Sequence, residues 1–513
     1  MKSSYQCFIL FLTIFLSSKS FGQNKSIQLM DRDLRLVYES ILDTQKNIHL
    51  NQFPLLMSDS LKAYSGIKML NKLNEKLEIQ RSNFSLDFSP IMSGIAGLYK
   101  SSKSLYFYQD LGFQTNFSLK NKLQIQINIV HAISDTNWAE NRRSASINFV
   151  PNWGRRISNA NYYQYLPSNG FISFHPSNHF SFLAGKGKHF IGEGFRSLHL
   201  SENANQYYYF KATAQVWKLK FDILWAKLQD IDSLPSHHLQ EKWMAVHTLS
   251  YNVNRFLNIY AFESVVWSSK DSSGYRGFEW NYINPFVFYR PTEFDQGSPD
   301  NILLGIGASV RLFNNYKLYF QGILDEFELR HIKARDGYWS NKYGIQCGLK
   351  TYHLFGIRNL FALMEVNYLR PFLYSHQNPA NAYGNSLQAL AHPFGANVQE
   401  LILNLHYHHR DYIFSLKSIY TEYGVDGFND NYGQNIYQSY NSRSQEFNNK
   451  VGQGIKTKRL FGELKLLRII NSRSFLCVEA GIKYFKQSPE STDLSGIIPF
   501  IGIRSAIFSD QKP

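Results

Sequence analysis

Apolar and polar side chains alternate residue by residue through most of this chain, a period that is typical of β-strands with one apolar and one polar face. The alternation runs over residues 105–119 and 123–129, and it returns over 304–312 and 476–484. A β-sandwich or a propeller would alternate in the same way. The strands, however, are about 10–12 residues long, whereas soluble sheets favour about 5–6 and membrane-crossing strands need about 9–11. Strand length therefore favours a membrane barrel.

The connections between these strands alternate in length. Short connections fall near residues 121, 217, 254, 314, 356, 410 and 471, and long ones near 138, 197, 235, 284, 334, 385, 440 and 491. Short periplasmic turns and long external loops are the signature of outer-membrane barrels. The sequence therefore predicts an all-β fold, a transmembrane antiparallel β-barrel of about 18 strands with a small N-terminal helical element. Counts of about 16 or 20 stay open, because bacterial barrels have even numbers and the strand path between 152 and 170 does not resolve.

The composition excludes two other classes of protein. Of the 513 residues, 44% are hydrophobic, which is too many for a disordered chain. The mean hydropathy is −0.32, and no segment after residue 22 approaches the ~20 apolar residues of a spanning helix. A membrane bundle of helices is therefore excluded. An aromatic content of 16% agrees with a barrel, whose outer surface carries aromatic girdles.

The first 22 residues have the pattern of a secretory signal peptide. Lys2 precedes an apolar run over residues 8–16, and the small residues Ser20 and Gly22 allow cleavage before Gln23. Loss of this segment, with its two lysines, lowers the formal net charge from +15 to +13. We predict that the protein is located in the cell outer membrane.

A helical period occupies the chain from residue 31 to about residue 80, ahead of the strands. The apolar faces are formed by Leu34, Val37 and Ile41 in one stretch and by Ile67, Leu70, Leu73 and Leu77 in another. Helices this short are marginal alone in water, so we predict that they dock on the periplasmic mouth and restrict the lumen. The predicted domains are a signal peptide (1–22), a helical periplasmic plug (23–83) and the barrel (84–513).

The residue patterns predict no catalytic residues, metal site or cofactor. His406 and His408 would face the lumen together, but the sequence offers no third metal ligand. The glycine-rich stretch 185–194 lacks the residue order of a phosphate-binding loop, and reads as a strand end that enters a loop. We predict that the protein is not an enzyme. A hydrolase at the barrel rim is the minor alternative, and it would need a Ser-His or Asp-His pair in contact.

Two cysteines, Cys347 and Cys477, follow the signal peptide. Strand alternation places Cys347 on the lipid face with Ile345, and Cys477 on the lumen face with Glu479. A disulfide needs Cα atoms within about 7 Å and converging Cβ atoms, so we predict two free thiols.

The basic charge favours anionic partners. A secreted chain does not fit nucleic acid, so we predict outer-membrane lipid and an acidic surface polysaccharide, alongside other cell-envelope proteins. The loop over residues 271–301 is rich in aromatic rings, which stack on sugar C–H groups, and in arginines, which pair with carboxylates. Its candidate glycan-binding residues are Tyr275, Arg276, Trp280, Tyr282, Tyr289, Arg290 and Glu293. The alternative is that these side chains only pack the loop and form part of the aromatic girdle.

Two stretches carry a family resemblance. Residues 175–194 (HPSNHFSFLAGKGKHFIGEG), with 201–205 (SENAN), resemble a segment of the Wzi-type capsule-assembly outer-membrane proteins. Residues 281–294 (NYINPFVFYRPTEF), with 297–301 (GSPDN), are similar to the branch that includes the gliding-motility protein RemB. The resemblance implies a barrel closed at its periplasmic end by N-terminal helices, and a role in surface polysaccharide handling or in gliding. It supplies no catalytic residues.

Three functional hypotheses follow. The first is an outer-membrane barrel that binds or organises cell-surface polysaccharide, with a gliding-motility accessory as a close variant. The second is a pore, and the third is the rim hydrolase. Ion conductance separates the first two, because a lumen filled by a plug conducts poorly.

Overall fold

The structure is a computed structural model of the 513-residue chain. It describes residues 25–28, 39, 49–53, 55–58, 77–80, 83–99, 104–120, 122–135, 149–150, 154–155, 162–231, 239–271, 274–284, 300–313, 315–471, 476–488 and 494–505. The predicted signal peptide lies outside these ranges. The described residues contain no helix that is long and apolar enough to cross a bilayer.

Within the described residues, 18 antiparallel strands form one closed barrel. Each strand is hydrogen-bonded to the next along the chain, and the last pairs with the first, so the wall has no open edge. The strands are β1 (Phe84–Leu98), β2 (Leu105–Leu119), β3 (Leu123–Asp135), β4 (Tyr162–Tyr165 and Asn169–Phe174), β5 (Phe180–Gly187), β6 (Tyr207–Val216), β7 (Leu219–Ile231), β8 (Leu239–Asn252), β9 (Leu257–Ser268), β10 (Asn301–Leu312), β11 (Tyr316–Leu324), β12 (Tyr343–Thr351), β13 (Leu360–Leu369), β14 (Val398–His409), β15 (Tyr412–Val425), β16 (Ile455–Asn471), β17 (Leu476–Ser488) and β18 (Leu494–Ser505). The predicted fold class is confirmed.

The strand path between 152 and 170 resolves into one interrupted strand. Both pieces of β4 pair with β3, the first with residues 132–135 and the second with residues 123–128. Pro167 lies in the gap, and proline has no N–H to donate to the ladder. The hydroxyl of Ser168 accepts a hydrogen bond from the backbone N–H of Val130 across this gap, at 3.2 Å. The two pieces therefore fill one place in the wall, and the strand count is even.

An early piece of chain completes the seam between β18 and β1. β18 pairs with residues 92–97 of β1, and Leu77–Gln80 pairs with residues 85–88 of the same strand. The helix predicted to run to residue 80 is therefore wrong at its end, because Leu77 and Ile79 alternate with polar neighbours and fit a pleated strand. The wall begins at residue 77 and not at the predicted boundary of 84.

The rest of the predicted helical element is described only in part. Lys25–Gln28 and Leu55–Ser58 form a small antiparallel pair, and Glu39 is helical. The helical face residues Leu34, Val37, Ile41, Ile67, Leu70 and Leu73 lie outside the described residues. The helical plug therefore stays a prediction over most of its length.

The two ends of the barrel differ as the connection lengths predicted. One end has short turns, and a left-handed backbone at Lys120, Trp217, Phe313 and Arg410 makes four of them tight. The other end has long loops with short elements of their own. These are the strand pairs Phe149–Val150 with Gly154–Arg155, Lys270–Asp271 with Gly274–Tyr275 and Gly384–Asn385 with Gln388–Ala389, the helix Leu329–Ala334, and the 3₁₀ turns Trp280–Ile283, Pro379–Asn381 and Tyr440–Ser442. At the short-turn end lies one further 3₁₀ turn, Leu354–Gly356.

The wall is apolar outside and polar inside, the reverse of a soluble protein. The outward side chains of Ile306 and Ile501 are each 61% exposed. The inward side chains of Asn128, Gln346 and Glu365 are fully buried. This pattern matches a barrel that has lipid around it and polar side chains in its lumen.

Both cysteines lie where the alternation predicted, on opposite faces of the wall. Cys347 is exposed on the outer face of β12, Cys477 is buried on the lumen face of β17, and neither forms a disulfide. We predict that alkylation of the unreduced, denatured protein modifies both thiols, as measured by mass spectrometry. A cross-linked peptide joining them would show that the strand register is wrong in at least one of the two strands.

The difference between the two ends predicts the orientation of the barrel. Epitopes inserted near residues 121, 314 and 471 should be hidden in intact cells, because short turns face the periplasm. Epitopes near 285, 385 and 440 should be labelled by antibody added outside. Labelling at 314 without labelling at 385 would reverse the orientation.

Candidate functional site: the occupied lumen and the long loops

The connection between β5 and β6, residues 188–206, folds into the barrel and is called the lumen loop here. Its short strand Phe190–Ile191 pairs with Gln52–Phe53 from the N-terminal part of the chain. The rings of Phe190 and Phe53 meet edge to face, with centroids 6.1 Å apart. Phe190, Leu198 and Leu200 are fully buried, so the loop contributes apolar packing at the centre of the lumen. Such burial stabilises a loop that would otherwise lie in water.

In the glycine-rich stretch 185–194, the backbone of this loop lies close to the wall. Gly192 has φ of 151°, a conformation that side chains rarely adopt. A Cβ at Gly194 would collide with the carboxylate of Glu365, which belongs to β13. The glycines therefore let the backbone approach the wall closely, and no phosphate-binding loop is formed.

A buried charge network fixes the lower part of the lumen loop to the wall. The Glu193 carboxylate accepts hydrogen bonds from Lys317 Nζ at 2.8 Å and from Lys350 Nζ at 3.2 Å. Lys350 Nζ also donates to Glu39, in the N-terminal part of the chain, at 2.5 Å. All four side chains are buried, and two carboxylates balance two ammonium groups. Loss of one partner would leave an uncompensated buried charge, which costs about 3–5 kcal/mol.

A second pair of carboxylates fixes the middle of the loop. Glu365 of β13 accepts the backbone N–H groups of Phe195 and Arg196 at 2.7 and 3.0 Å. The Arg196 guanidinium donates through two nitrogens to Glu400 of β14, at 3.1 and 3.2 Å. His392 Nε2 lies 3.1 Å from the same carboxylate. Two-point contacts of this kind fix orientation as well as position.

The N-terminal residues 49–53 bind a neighbouring part of the wall, on β8 and β9. His49 Nδ1 lies 2.7 Å from the Ser250 hydroxyl of β8, and Asn51 Nδ2 donates to Asn258 of β9 at 3.1 Å. The Asn51 carbonyl accepts the N–H of Gly192 at 2.8 Å. This part of the N-terminal chain therefore lies inside the lumen and joins the lumen loop to the wall. The helical plug over residues 23–83 stays a prediction.

A long loop, residues 370–397, covers the lumen loop and is called the cap loop here. The hydroxyls of Tyr374 and Tyr383 donate to the carbonyls of Leu198 and His199, each at 2.8 Å. The two tyrosine rings are stacked, with centroids 5.7 Å apart. The lumen loop thus contacts the wall from β9 to β15 and the cap loop above it. The lumen loop and the cap loop therefore occupy part of the lumen.

The structure separates the predicted glycan-binding residues into three groups. Tyr275 and Trp280 are 70% and 75% exposed. Arg276 and Tyr282 instead bind Asp300, which accepts two guanidinium nitrogens at 2.9 and 3.1 Å and the phenol at 2.7 Å. Tyr289, Arg290 and Glu293 lie outside the described residues.

Arg276 is held within the loop by charge. Burial opposes its charged form, but the hydrogen bonds and charge of Asp300, with those of Glu279, outweigh burial and raise the pKa of Arg276. Tyr282 is fully buried against Trp267, and its carbonyl accepts the indole N–H of Trp225 at 2.9 Å. The loop therefore packs on the outward face of β7–β9, as the alternative interpretation expected for part of the set. Glycan binding by Tyr275 and Trp280 stays a prediction.

A basic and aromatic surface on two other long loops was missed by the sequence analysis. The helix Leu329–Ala334 and the residue after it expose three cations, Arg330, Lys333 and Arg335. No ion pair involves these three cations in the part of the chain that the structure describes. The signal was present in the sequence as a run of basic residues, RHIKAR, over 330–335.

Aromatic rings border these cations. Tyr338 lies 5.4 Å from the half-exposed ring of Phe447, centroid to centroid. Trp339 lies 4.8 Å from Tyr440, and the Arg443 guanidinium lies 4.4 Å from the Trp339 ring. We call these five residues, with Arg330, Lys333 and Arg335, the basic aromatic surface. Rings beside cations are the groups that acidic sugars would contact.

The histidines form no metal centre in the described ranges. His406 and His408 face the lumen from β14, as the alternation predicted. Nowhere among the described residues do three His, Cys, Asp or Glu side chains gather in a way that could hold a metal ion.

Comparison with known proteins gives structural matches only. No family model matches the sequence, and no curated protein matches it. The solved structure of Wzi from Escherichia coli superposes with a TM-score of 0.58 at 13% identity, over 94% of this chain and all of that one. The fold is that of an outer-membrane β-barrel. Wzi is described as a carbohydrate-binding barrel involved in group 1 capsule assembly.

Two porins match less well. OccAB2 from Acinetobacter baumannii has a TM-score of 0.45 at 10% identity, over 82% of this chain and 97% of its own. OprD from Pseudomonas aeruginosa has a TM-score of 0.43 at 8% identity, over 85% of this chain and 98% of its own. The closed wall, apolar outside and polar inside, places the protein in the outer membrane. Its structural neighbours include both a carbohydrate-binding barrel and porins.

We predict that breaking the buried charge network raises ion conductance. Glu193→Gln removes the charge that joins Lys317 to Lys350, so the lumen loop should detach from the wall more often. Planar-bilayer recordings should show larger or more frequent openings than for the wild type. The matched control is Glu241→Gln, since the pair of Glu241 with Lys227 is partly exposed and contributes about 0–1 kcal/mol.

Deletion of residues 31–74 should raise conductance further, while Leu77–Gln80 is kept in the wall. Conductance equal to that of the wild type in both variants would contradict the plug.

Proposed function

We propose that this protein binds an acidic polysaccharide at the cell surface and serves in capsule assembly or attachment. The observation that carries the proposal is the position of the lumen loop. Buried ion pairs fix this loop to the inner face of the wall, and the cap loop covers it. A lumen occupied in this way leaves the long external loops as the surface where a large polar ligand can bind.

The basic aromatic surface has the chemistry that an acidic glycan needs. The exposed cations Arg330, Lys333 and Arg335 can pair with uronate or other sugar carboxylates. The half-exposed ring of Phe447, which packs beside Tyr338, offers a flat face to sugar C–H groups. The likeness of the fold to Wzi, a carbohydrate-binding barrel, supports the same function but identifies no residue.

The occupied lumen also bears on the pore hypothesis. A passive pore would need a continuous aqueous path, and the Glu193 and Arg196 contacts with β11 and β14 reduce the space for one on that side of the lumen. A gliding-motility accessory remains a variant of the proposal, with the same barrel and the same external loops. Deletion of the gene, scored for capsule retention and for surface spreading, separates the two roles.

We predict that binding of a polyuronate depends on the three cations. The variant Arg330→Gln, Lys333→Gln, Arg335→Gln should bind alginate about tenfold more weakly at low salt, since each exposed pair contributes up to about 1 kcal/mol. Salt should reduce the difference, because exposed charges are screened. Affinity is measured on purified protein by calorimetry, with neutral dextran as the ligand that should not bind tightly.

The matched control removes three exposed cations at the short-turn end by Lys120→Gln, Arg410→Gln and Arg468→Gln. It should bind alginate as the wild type does. Equal weakening in both triple variants would show a general charge effect and contradict the site. Tyr275→Ala with Trp280→Ala tests the loop predicted from the sequence, and a loss of binding there would move the site to that loop.

A further inference from the structure

Three lysines form an exposed group on the outward face of β16 and β17, near the long-loop end. They are Lys456 and Lys458 of β16 and Lys486 of β17, and we call them the outer lysine cluster. They point away from the lumen, since the residues between them, such as Thr457, are buried inside. They are distinct from the basic aromatic surface, which lies on the loops.

Strand register brings the three ammonium groups close together. Lys458 lies opposite Ser488, and Lys486 lies opposite Leu460, so the two lysines are diagonal neighbours on one face. Diagonal neighbours are about 7–8 Å apart, within reach of long side chains. Lys456 is two residues from Lys458 along the same strand, about 7 Å away. One small anion could contact all three lysines.

The outward residues below the cluster give its depth in the membrane. Leu460, Leu464 and Leu466 follow Lys458 on the same face, and all are exposed. The next outward cation on β16 is Arg468, ten residues from Lys458. Ten residues span about 33 Å along a strand, or about 25 Å across a membrane at the usual tilt, which is the height of the apolar band. The cluster therefore lies at the external headgroup level.

The local charge is positive. Glu422 of β15 accepts a hydrogen bond from Lys456 at 2.6 Å. This carboxylate lowers the net charge of the three-lysine group from +3 to +2. Neither Lys458 nor Lys486 takes part in an ion pair within the described ranges. Glu422 lies directly opposite Lys458 in the strand pairing, so the three lysines and this one carboxylate together carry a net charge of +2. This charge faces the external leaflet, with the exposed rings of Tyr420 and Tyr484 beside it.

We propose that the outer lysine cluster binds the phosphate group of an outer-leaflet lipid. A lipid fits this place because the acyl chains would lie on the apolar band below, along Leu460 and Ile482, while the phosphate meets the ammonium groups. A soluble polyanion has no apolar part to match that band. Lysines near a membrane surface each favour anionic lipid, and the effect falls as salt screens the charges.

The test measures the affinity of the full-length barrel, in detergent micelles, for diphosphorylated lipid A and for its dephosphorylated form by native mass spectrometry. The wild type should prefer the phosphorylated lipid by about thirtyfold, since the cluster and Glu422 together carry a net charge of +2. The triple variant Lys456→Gln, Lys458→Gln, Lys486→Gln should lose the preference. Replacement of the same three residues by arginine should keep it, which also shows that substitution here permits folding.

Two further variants sharpen the result. Glu422→Gln should increase the preference for the phosphorylated lipid, because it frees Lys456. The control variant with Lys120, Arg410 and Arg468 replaced by glutamine should leave the preference unchanged, although it removes the same number of charges. No preference in the wild type, or an equal loss in the control variant, would overturn the proposal, whatever happens to alginate binding.

Discussion

The structure depends first on the need to pair every backbone N–H and C=O group of a wall that has lipid on its outer side. No water reaches the bilayer core, so an unpaired group there costs several kcal/mol, and only closure of the sheet removes the edges. Two irregular places in the wall show how strict this need is. At Pro167 the ladder is interrupted, and the Ser168 hydroxyl accepts the N–H of Val130. At the seam, Leu77–Gln80 pairs with β1 where β18 no longer reaches.

Closure sets the chemistry of the interior. A wall that is apolar outside has to place its polar side chains in the lumen, where burial makes every charge costly unless it is paired. The interior accordingly holds matched groups, such as Glu193 with Lys317 and Lys350, and Asp222 with Lys211 and Lys220. Lysines used inside in this way are neutralised locally. Anionic ligands are therefore expected at cations without a partner on the loops and on the outer face.

The sequence predicted what depends on local pattern. Strand β2 begins and ends at the predicted residues, the two cysteines lie on the predicted faces, and the short and long connections alternate as expected. Contacts between residues far apart in the chain have no local signal. Arg276 looked available for a ligand, but its partner Asp300 lies 24 residues away. The lumen loop binds carboxylates more than 160 residues away in the chain. The glycines of this loop are visible in the sequence, but the close contact with the wall that requires them is not.

The pairing of Gln52–Phe53 with Phe190–Ile191 constrains the order in which the protein can be assembled. The segment that holds Gln52 is synthesised before every strand of the barrel wall, yet it ends inside the barrel. The barrel is completed where β18 meets β1, next to Leu77–Gln80. If this segment is already inside when the sheet closes, β18 and β1 pair around it. If it is still outside, it has to be threaded through the periplasmic mouth, past side chains that have already found their partners. The first order makes insertion into the membrane and filling of the lumen one process, in which both ends of the chain have to be handled at the same time.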